Sequence, residues 1–237
     1  MKALVDLHTH TISSGHAFST LKENIEEARN KGLEVLGTSD HFIEMPGTAH
    51  LSFFGNYKVI KEEIMGVRIL KGVEANIVNY NGEVDLTSGI YSSLDYIIAS
   101  LHPPCIKPGT IEENTNAILN AMKNPYIKII GHPDDGRFPL DYKRLIEGAK
   151  KTNTVLELNN SSLHPKAFRL NAYENLKVML ELCAENEVNI ILGSDSHIYY
   201  DIGEFKKAYD LLIELNFPKE LVINFDLERL NKILINR

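Results

Sequence analysis

The chain has 237 residues, nine of them histidine, two cysteine and none tryptophan, and a formal net charge of −7. At 43% hydrophobic and 24% charged residues it has the balance of an ordinary folded domain, long enough to bury a core without disulfides. The acidity and the lack of any Lys/Arg run exclude a binder held to nucleic acid or membrane phosphates by charge alone. Two cysteines exclude a disulfide framework, and no apolar run approaches the ~20 residues of a membrane span. Asp6 arrives too early for a secretory leader, so the expected compartment is the cytoplasm.

A first strand is expected over residues 3–5. Thr20-Leu-Lys-Glu23 then reads as a capping box, with Leu21, Ile25 and Ala28 on one helical face and Gly32 as the stop. Further strands are expected over 35–37, 67–73, 96–99, 127–130, 154–158 and 189–192. All are short, β-branched and nearly continuous, as in strands covered on both faces. Residues 171–186 carry Leu176, Met179, Leu180 and Cys183 at helical spacing. Phe205, Ala208, Leu212 and Leu215 repeat the pattern, and Asp226 caps a last helix with Leu227, Leu230, Ile233 and Leu234 inward. Seven strands in one chain leave about 34 residues per unit, close to a strand–helix–strand element. The expectation is one α/β domain over residues 1–237: a distorted (β/α)7 TIM-like barrel, with parallel strands inside and helices outside.

The residues at the carboxyl end of each strand carry the chemistry. Strand one runs into Asp6-Leu-His-Thr-His10, strand two into Ser39-Asp-His41 and strand three into Glu74. Strand four reaches His102-Pro103, strand five His132-Pro133, strand six Glu157-Leu-Asn-Asn160 and strand seven Ser194-Asp-Ser-His197. Active sites of such barrels are assembled on this rim. A strand interior would reject these groups, because burying them unpaired costs several kcal/mol.

On extended chain, residues i and i+2 face the same way, so His8 and His10 address one ion together and Asp195 and His197 repeat the arrangement. The candidate metal ligands are therefore His8, His10, His16, His41, Glu74, His102, His132, Asp195 and His197. Imidazole and carboxylate suit zinc, and manganese or iron as well. Nine ligands suffice for two or three divalent ions when carboxylates bridge. Asp6, one step lower on the side of His8 and His10, and Asp40 are read as supporting acids behind the ligands, Asp40 orienting an imidazole through its N–H. His50 and His164 stand outside the pattern as surface histidines.

These motifs resemble the PHP superfamily, named for polymerase and histidinol phosphatase domains, and within it the YcdX-like phosphatase branch. The likeness rests on Asp6-Leu-His-Thr-His10, His16, Thr38-Ser-Asp-His41, Gly72-Val-Glu74, His102, His132-Pro133, Glu157-Leu-Asn-Asn-Ser-Ser162 and Gly193-Ser-Asp-Ser-His197. The resemblance implies a trinuclear metal centre, usually zinc. His8, His10, Glu74 and Asp195 would surround one ion, Glu74, His102 and His132 a second, and His16, His41 and His197 the third. Two departures border the pocket: Pro103 stands where relatives often carry an acid, and Pro133-Asp-Asp-Gly136 is unusually acidic.

The expected activity is metal-dependent hydrolysis of phosphate monoesters by a metal-bridging hydroxide, with Asp195 and Glu74 as the catalytic carboxylates. Asn160, Ser161, Lys166 and Arg169 are the candidate substrate contacts. No histidine is left over as general acid, which assigns the leaving-group proton to a water on the ions. The expected partner is a small phosphorylated substrate, with no membrane and no extended nucleic acid. Three divalent ions would bring the formal charge from −7 to about −1, so the acidity does not argue against an anionic substrate. Alternative readings are a histidinol-phosphate phosphatase and a phosphodiesterase or exonuclease acting on nucleotides or short nucleic-acid ends. An amidohydrolase also opens on His-x-His but orders its ligands differently, and a non-enzymatic module would not keep a complete ligand set.

Overall fold

A computed structural model describes residues 2–87 and 89–234. Its strands are β1 (Val5–Asp6), β2 (Val35–Thr38), β3 (Glu63–Ile64), β4 (Val67–Asn76), β5 (Tyr96–Ser100), β6 (Ile129–Ile130), β7 (Val155–Asn159) and β8 (Ile190–Gly193). All but β3 pair in parallel, in the order β1-β2-β4-β5-β6-β7-β8. The seven expected strands are these seven, and the barrel nearly closes. At the carboxyl end β8 returns to β1 through a parallel bridge between Thr9 and Ser196 and an Asp195 N–H donated to the His8 carbonyl at 2.8 Å. Lower down the seam is filled by the Asn224 amide. Its oxygen accepts from Leu192 N at 2.6 Å, and its nitrogen donates to the carbonyls of Val5 and Leu192, each at 2.9 Å. One side chain thus pairs backbone groups of both strands that would otherwise be buried unpaired.

β3 has no legible signal in the sequence. It is two residues long and turns back on β4 through Met65 and Gly66, both at positive φ. The helices are α1 (Leu21–Lys31), α2 (Leu51–Gly55), α3 (Ile111–Ala121), α4 (Tyr142–Thr152), α5 (Ala172–Asn186), α6 (Lys206–Glu214) and α7 (Leu227–Ile233). The Thr20–Glu23 capping box and the left-handed Gly32 stop bound α1 as expected. Asp226 accepts from Glu228 N and Arg229 N to open α7. A second capping box, Thr110 with Glu113, opens α3 by the same device as Thr20 and Glu23.

Three apolar clusters divide the core, the smallest of them packing Ile25 and Ala28 of α1 against Leu36, Val67 and Ile69. The largest lies between strands and outer helices and takes Ile97, Ala99, Leu156, Leu158, Ile190 and Leu192 from the outward face. The second fills the barrel with Val5, Leu70, Tyr96, Ile98, Ile129, Val155 and Ile191. Ile223, Leu230 and Ile233 close it from the amino end. Tyr96 is the largest of these plugs, and a Cβ at Gly72 would lie 2.2 Å from its ring, so only glycine fits there.

Strand parity then builds the rim. The inward positions that carry Leu70, Ile98, Ile129, Val155 and Ile191 low in the barrel continue by steps of two to Glu74, His102, Gly131, Glu157 and Asp195.

Candidate metal centre

Glu74 sits at the middle of the rim, fully buried, with histidines on both carboxylate oxygens. Oε2 lies 2.7 Å from His41 Nδ1, 3.4 Å from His8 Nε2 and 3.6 Å from His10 Nε2. Oε1 lies 2.9 Å from His132 Nε2 and 3.1 Å from His102 Nε2. Asp195 takes the other side: its Oδ1 is 3.3 Å from His10 Nε2, and 3.6 Å from both His8 Nε2 and His197 Nδ1. His16 Nε2 meets His197 Nε2 at 3.0 Å. All nine sequence-derived candidates therefore converge on one place.

The imidazoles are oriented from behind. His8 Nδ1 donates to Glu157 Oε1 at 2.7 Å, which leaves Nε2 facing Glu74 and Asp195. The Asn76 amide donates to Asp85 Oδ2, so its oxygen faces His102 and accepts from Nδ1 at 2.7 Å. His10 Nδ1 donates to Ser14 Oγ at 2.9 Å, and Ser14 passes its own proton to Asp40 Oδ1 at 2.7 Å. In each case a ring N–H is consumed outward and a lone pair is aimed inward, the tautomer a metal ligand needs.

Four buried atoms make no well-aligned hydrogen bond here: His8 Nε2, His10 Nε2, and the His41 Nδ1 and Glu74 Oε2 that face each other at 2.7 Å. Each orphaned polar group costs about 1–3 kcal/mol, and native proteins leave few of them. Three overlapping sets have ligand atoms mutually within 4.8 Å: His8, His10 and Glu74; His41, Glu74 and His102; His10, His41 and His197. Their chemistry fits a divalent cation of the zinc type.

Electrostatics agree. Burial acts to raise the Glu74 carboxyl, but the imidazoles of His102, His41 and His8 outweigh it and hold it well below the carboxylate range. Asp195 is held down likewise, burial being overcome by His8 and the Arg169 guanidinium. Burial, then the neighbouring His197 and His41, push His10 well below the ordinary imidazole range and bring His16 down to about 4. Ionised carboxylates beside imidazoles such as His10 and His16, whose charged form is disfavoured, suit metal binding. His8 is the exception. Burial opposes its charge, yet Glu157, Glu74 and Asp195 together raise it well above the usual range. A field that favours a proton there equally favours a metal cation.

Two of the candidates hold strained backbone: His132 has φ 28° and Asp195 φ 52°. Left-handed non-glycine residues cost of order 1–3 kcal/mol and concentrate at functional sites. Gly193 makes room for the network, since a Cβ there would lie 1.8 Å from Glu157 Oε1.

The supporting acids are placed differently from one another. Asp40 acts on His10 through Ser14 and also binds Thr11 N at 2.7 Å. Asp6 accepts from Ser194 N at 3.3 Å and Gly203 N at 2.8 Å, so it fixes the loop that carries Asp195 and touches no imidazole. Sequence reasoning misses Glu157 and Asn76 as orienting groups. Glu157 stands in an inward strand register with Asn159, and that parity is the available signal.

A cavity of about 620 Å³ opens over the cluster. Of the four candidate substrate contacts, Ser161 and Arg169 line it. Arg169 donates to Asp195 Oδ2 at 2.7 Å, to Asn159 Oδ1 at 3.1 Å and to Ser162 Oγ at 3.0 Å. The Asn160 amide is turned away, accepting from Ala208 N at the start of α6, and Lys166 is exposed outside the lining. His50 caps α2 and His164 is exposed at the surface. Among the described residues no helix is long and apolar enough to cross a membrane.

The PHP domain model matches residues 6–161. A probable phosphatase of Clostridium novyi (strain NT) is 48% identical, over 97% of this chain and 93% of the relative. One of Clostridium acetobutylicum is 47% identical, over 99% and 95%. Among solved structures, the histidinol phosphate phosphatase of Lactococcus lactis, complexed with zinc, L-histidinol and phosphate, superposes with TM-score 0.61 at 17% identity, over 92% of this chain and 95% of that one. A chain of archaeal ribonuclease P with mature tRNA gives 0.62 at 16%, over 97% and 89%. Both show the shared fold.

Proposed function

The chain belongs to the PHP domain family, and from that premise we propose that it is a metal-dependent phosphatase, a single unit over residues 1–237 that hydrolyses phosphate monoesters at a trinuclear, zinc-type centre. The observation that carries the reading is the convergence of four buried atoms without a well-aligned hydrogen bond, on His8, His10, His41 and Glu74.

His8, His10, Glu74 and Asp195 would hold one ion, Glu74, His102 and His132 a second, and His16, His41 and His197 the third. The facing of Glu74 supports this division, with its two oxygens addressing different histidines. Asp195 supports it too, standing between His8, His10 and His197. His41 lies within reach of both the second and the third sets. Bound ions of this kind supply a water made nucleophilic near neutral pH and positive charge for the phosphoryl oxygens. The protein supplies the rest. Asp195, ionised and fixed by Arg169 and Asn159, is the group placed to take the nucleophile's proton. Ser161 and Arg169 line the cavity as donors for phosphoryl oxygens, and Arg169 Nε has no partner of its own. The strand-derived ligands keep the cluster rigid, so little reorganisation accompanies reaction. The substrate is a small phosphorylated molecule and the working compartment the cytoplasm.

The test is metal analysis of the purified chain beside hydrolysis of a generic phosphomonoester. Two to three divalent ions per chain are expected, with hydrolysis lost on chelation and regained with zinc or manganese. Full activity in the chelated protein overturns the proposal.

A further inference from the structure

The mouth of the cavity differs from its base. Met45 and Pro46 enter from the loop after β2, Pro103 and Pro104 from the loop after β5, and Phe168 from the loop after β7. Apolar side chains on three separate loops are an unusual edge for a site whose base is built for an anion. Phe168 is 70% exposed, a costly position for a phenyl ring with no apolar group laid over it.

The ring is also stiffened. Arg137 Cζ lies 4.8 Å from its centroid and Arg169 Cζ 5.8 Å. Arg137 is largely committed within the protein: its Nε and Nη2 are bound by the buried Asp135 carboxylate, at 2.9 and 2.5 Å, and its guanidinium face lies against Phe168. Asp201, an exposed acid, stands on another part of the rim and disfavours a second anion there. At about 620 Å³ the cavity falls within the roughly 300–1,000 Å³ of sites that enclose drug-sized molecules, far more room than a phosphoryl group uses.

Building on the phosphatase reading, we infer that Phe168 is a stacking platform. The preferred substrates are monoesters with one phosphate whose leaving group carries a planar aromatic ring of about nucleobase size. The phosphate seats on the base of the cavity and the ring lies on Phe168 between the proline edges.

Adenosine 5′-monophosphate and ribose 5-phosphate test this, since they share the scissile ester and differ by the ring. In the metal-loaded enzyme kcat/KM is expected to favour the ring-bearing ester by about 5- to 100-fold, the range for one base stacked on an aromatic side chain. Phe168→Ala should bring that ratio close to one, and Phe168→Tyr should restore it. The chain contains no tryptophan, so Phe168→Trp installs a lone fluorophore. Adenosine, which is not a phosphatase substrate, should quench it saturably, while ribose should not. Equal kcat/KM for the two esters in the wild type, a ratio unmoved by Phe168→Ala, or no quench by adenosine overturns the platform and leaves the phosphatase reading standing. Failure to hydrolyse either ester, or any generic monoester, overturns the phosphatase reading and the substrate preference with it.

Discussion

The two ends of the barrel solve opposite problems with the same strands. The amino end is sealed by Tyr96, Ile98, Ile129 and the buried face of α7, contacts without direction that depend on volume. The carboxyl end is as deeply buried, yet it holds Glu74, His8, His10 and Glu157, each of which needs a partner at a defined angle. One inward register supplies both, with the change of chemistry falling between Ile98 of β5 and His102 just beyond it, and between Val155 and Glu157 on β7. The floor therefore secures the fold, while the rim gathers unmet valences of the kind that suit a cation. Changes at one end should leave the other end's readout almost untouched.

The largest effect should come from Glu74→Gln at the rim. Catalytic efficiency on a generic phosphomonoester is expected to fall about 10³-fold or more. Metal content should fall with it, while circular dichroism stays native. A variant that keeps its full metal complement breaks the central role of Glu74. At the floor, Leu230→Ala empties a fully buried position and should cost about 2–5 kcal/mol in urea denaturation. Its catalytic efficiency at 25 °C should remain near that of the parent, and a matching loss of activity would mean that the ends are coupled.

Metal removal joins the two regions through stability. Zinc at a hundred times its dissociation constant adds about 2.7 kcal/mol. Chelation should thus lower the melting temperature reversibly, and by much less in Glu74→Gln than in the parent chain. Equal shifts in both would show that the ions bind elsewhere. The smallest of these effects is expected from Glu157→Gln, which keeps the shape but weakens the charge behind His8. Metal affinity should fall about 10- to 100-fold. Competition with a chromophoric chelator measures it, and an unchanged affinity would remove Glu157 from the supporting network.

Much of this organisation is legible in the chain. The seven parallel strands, the boundaries of α1, the start of α7 and the meeting of His8, His10, His41, Glu74, His102, His132, Asp195 and His197 come from period-two patterning, capping residues and polar strand ends, while α7 stops at Ile233, one residue before the expected Leu234. These are local signals, repeated at every strand. β3 and α2 escape because two to five residues carry too little periodicity. Asn224 escapes because its role belongs to a seam between the first and last strands, which lie far apart in the chain.

Strand parity and residue chemistry are written one position at a time, so the chain alone specifies a barrel whose carboxyl end is rich in imidazole and carboxylate. What stands behind each of those groups comes from the folded arrangement: Glu157 behind His8, Ser14 and Asp40 behind His10, Asn76 behind His102. It also decided that Asn160 turns to α6 while Arg169 turns to Asp195, and that Phe168 meets Arg137 at the mouth. Such pairings depend on which loops the closed barrel brings together, and sequence separation carries no measure of that distance.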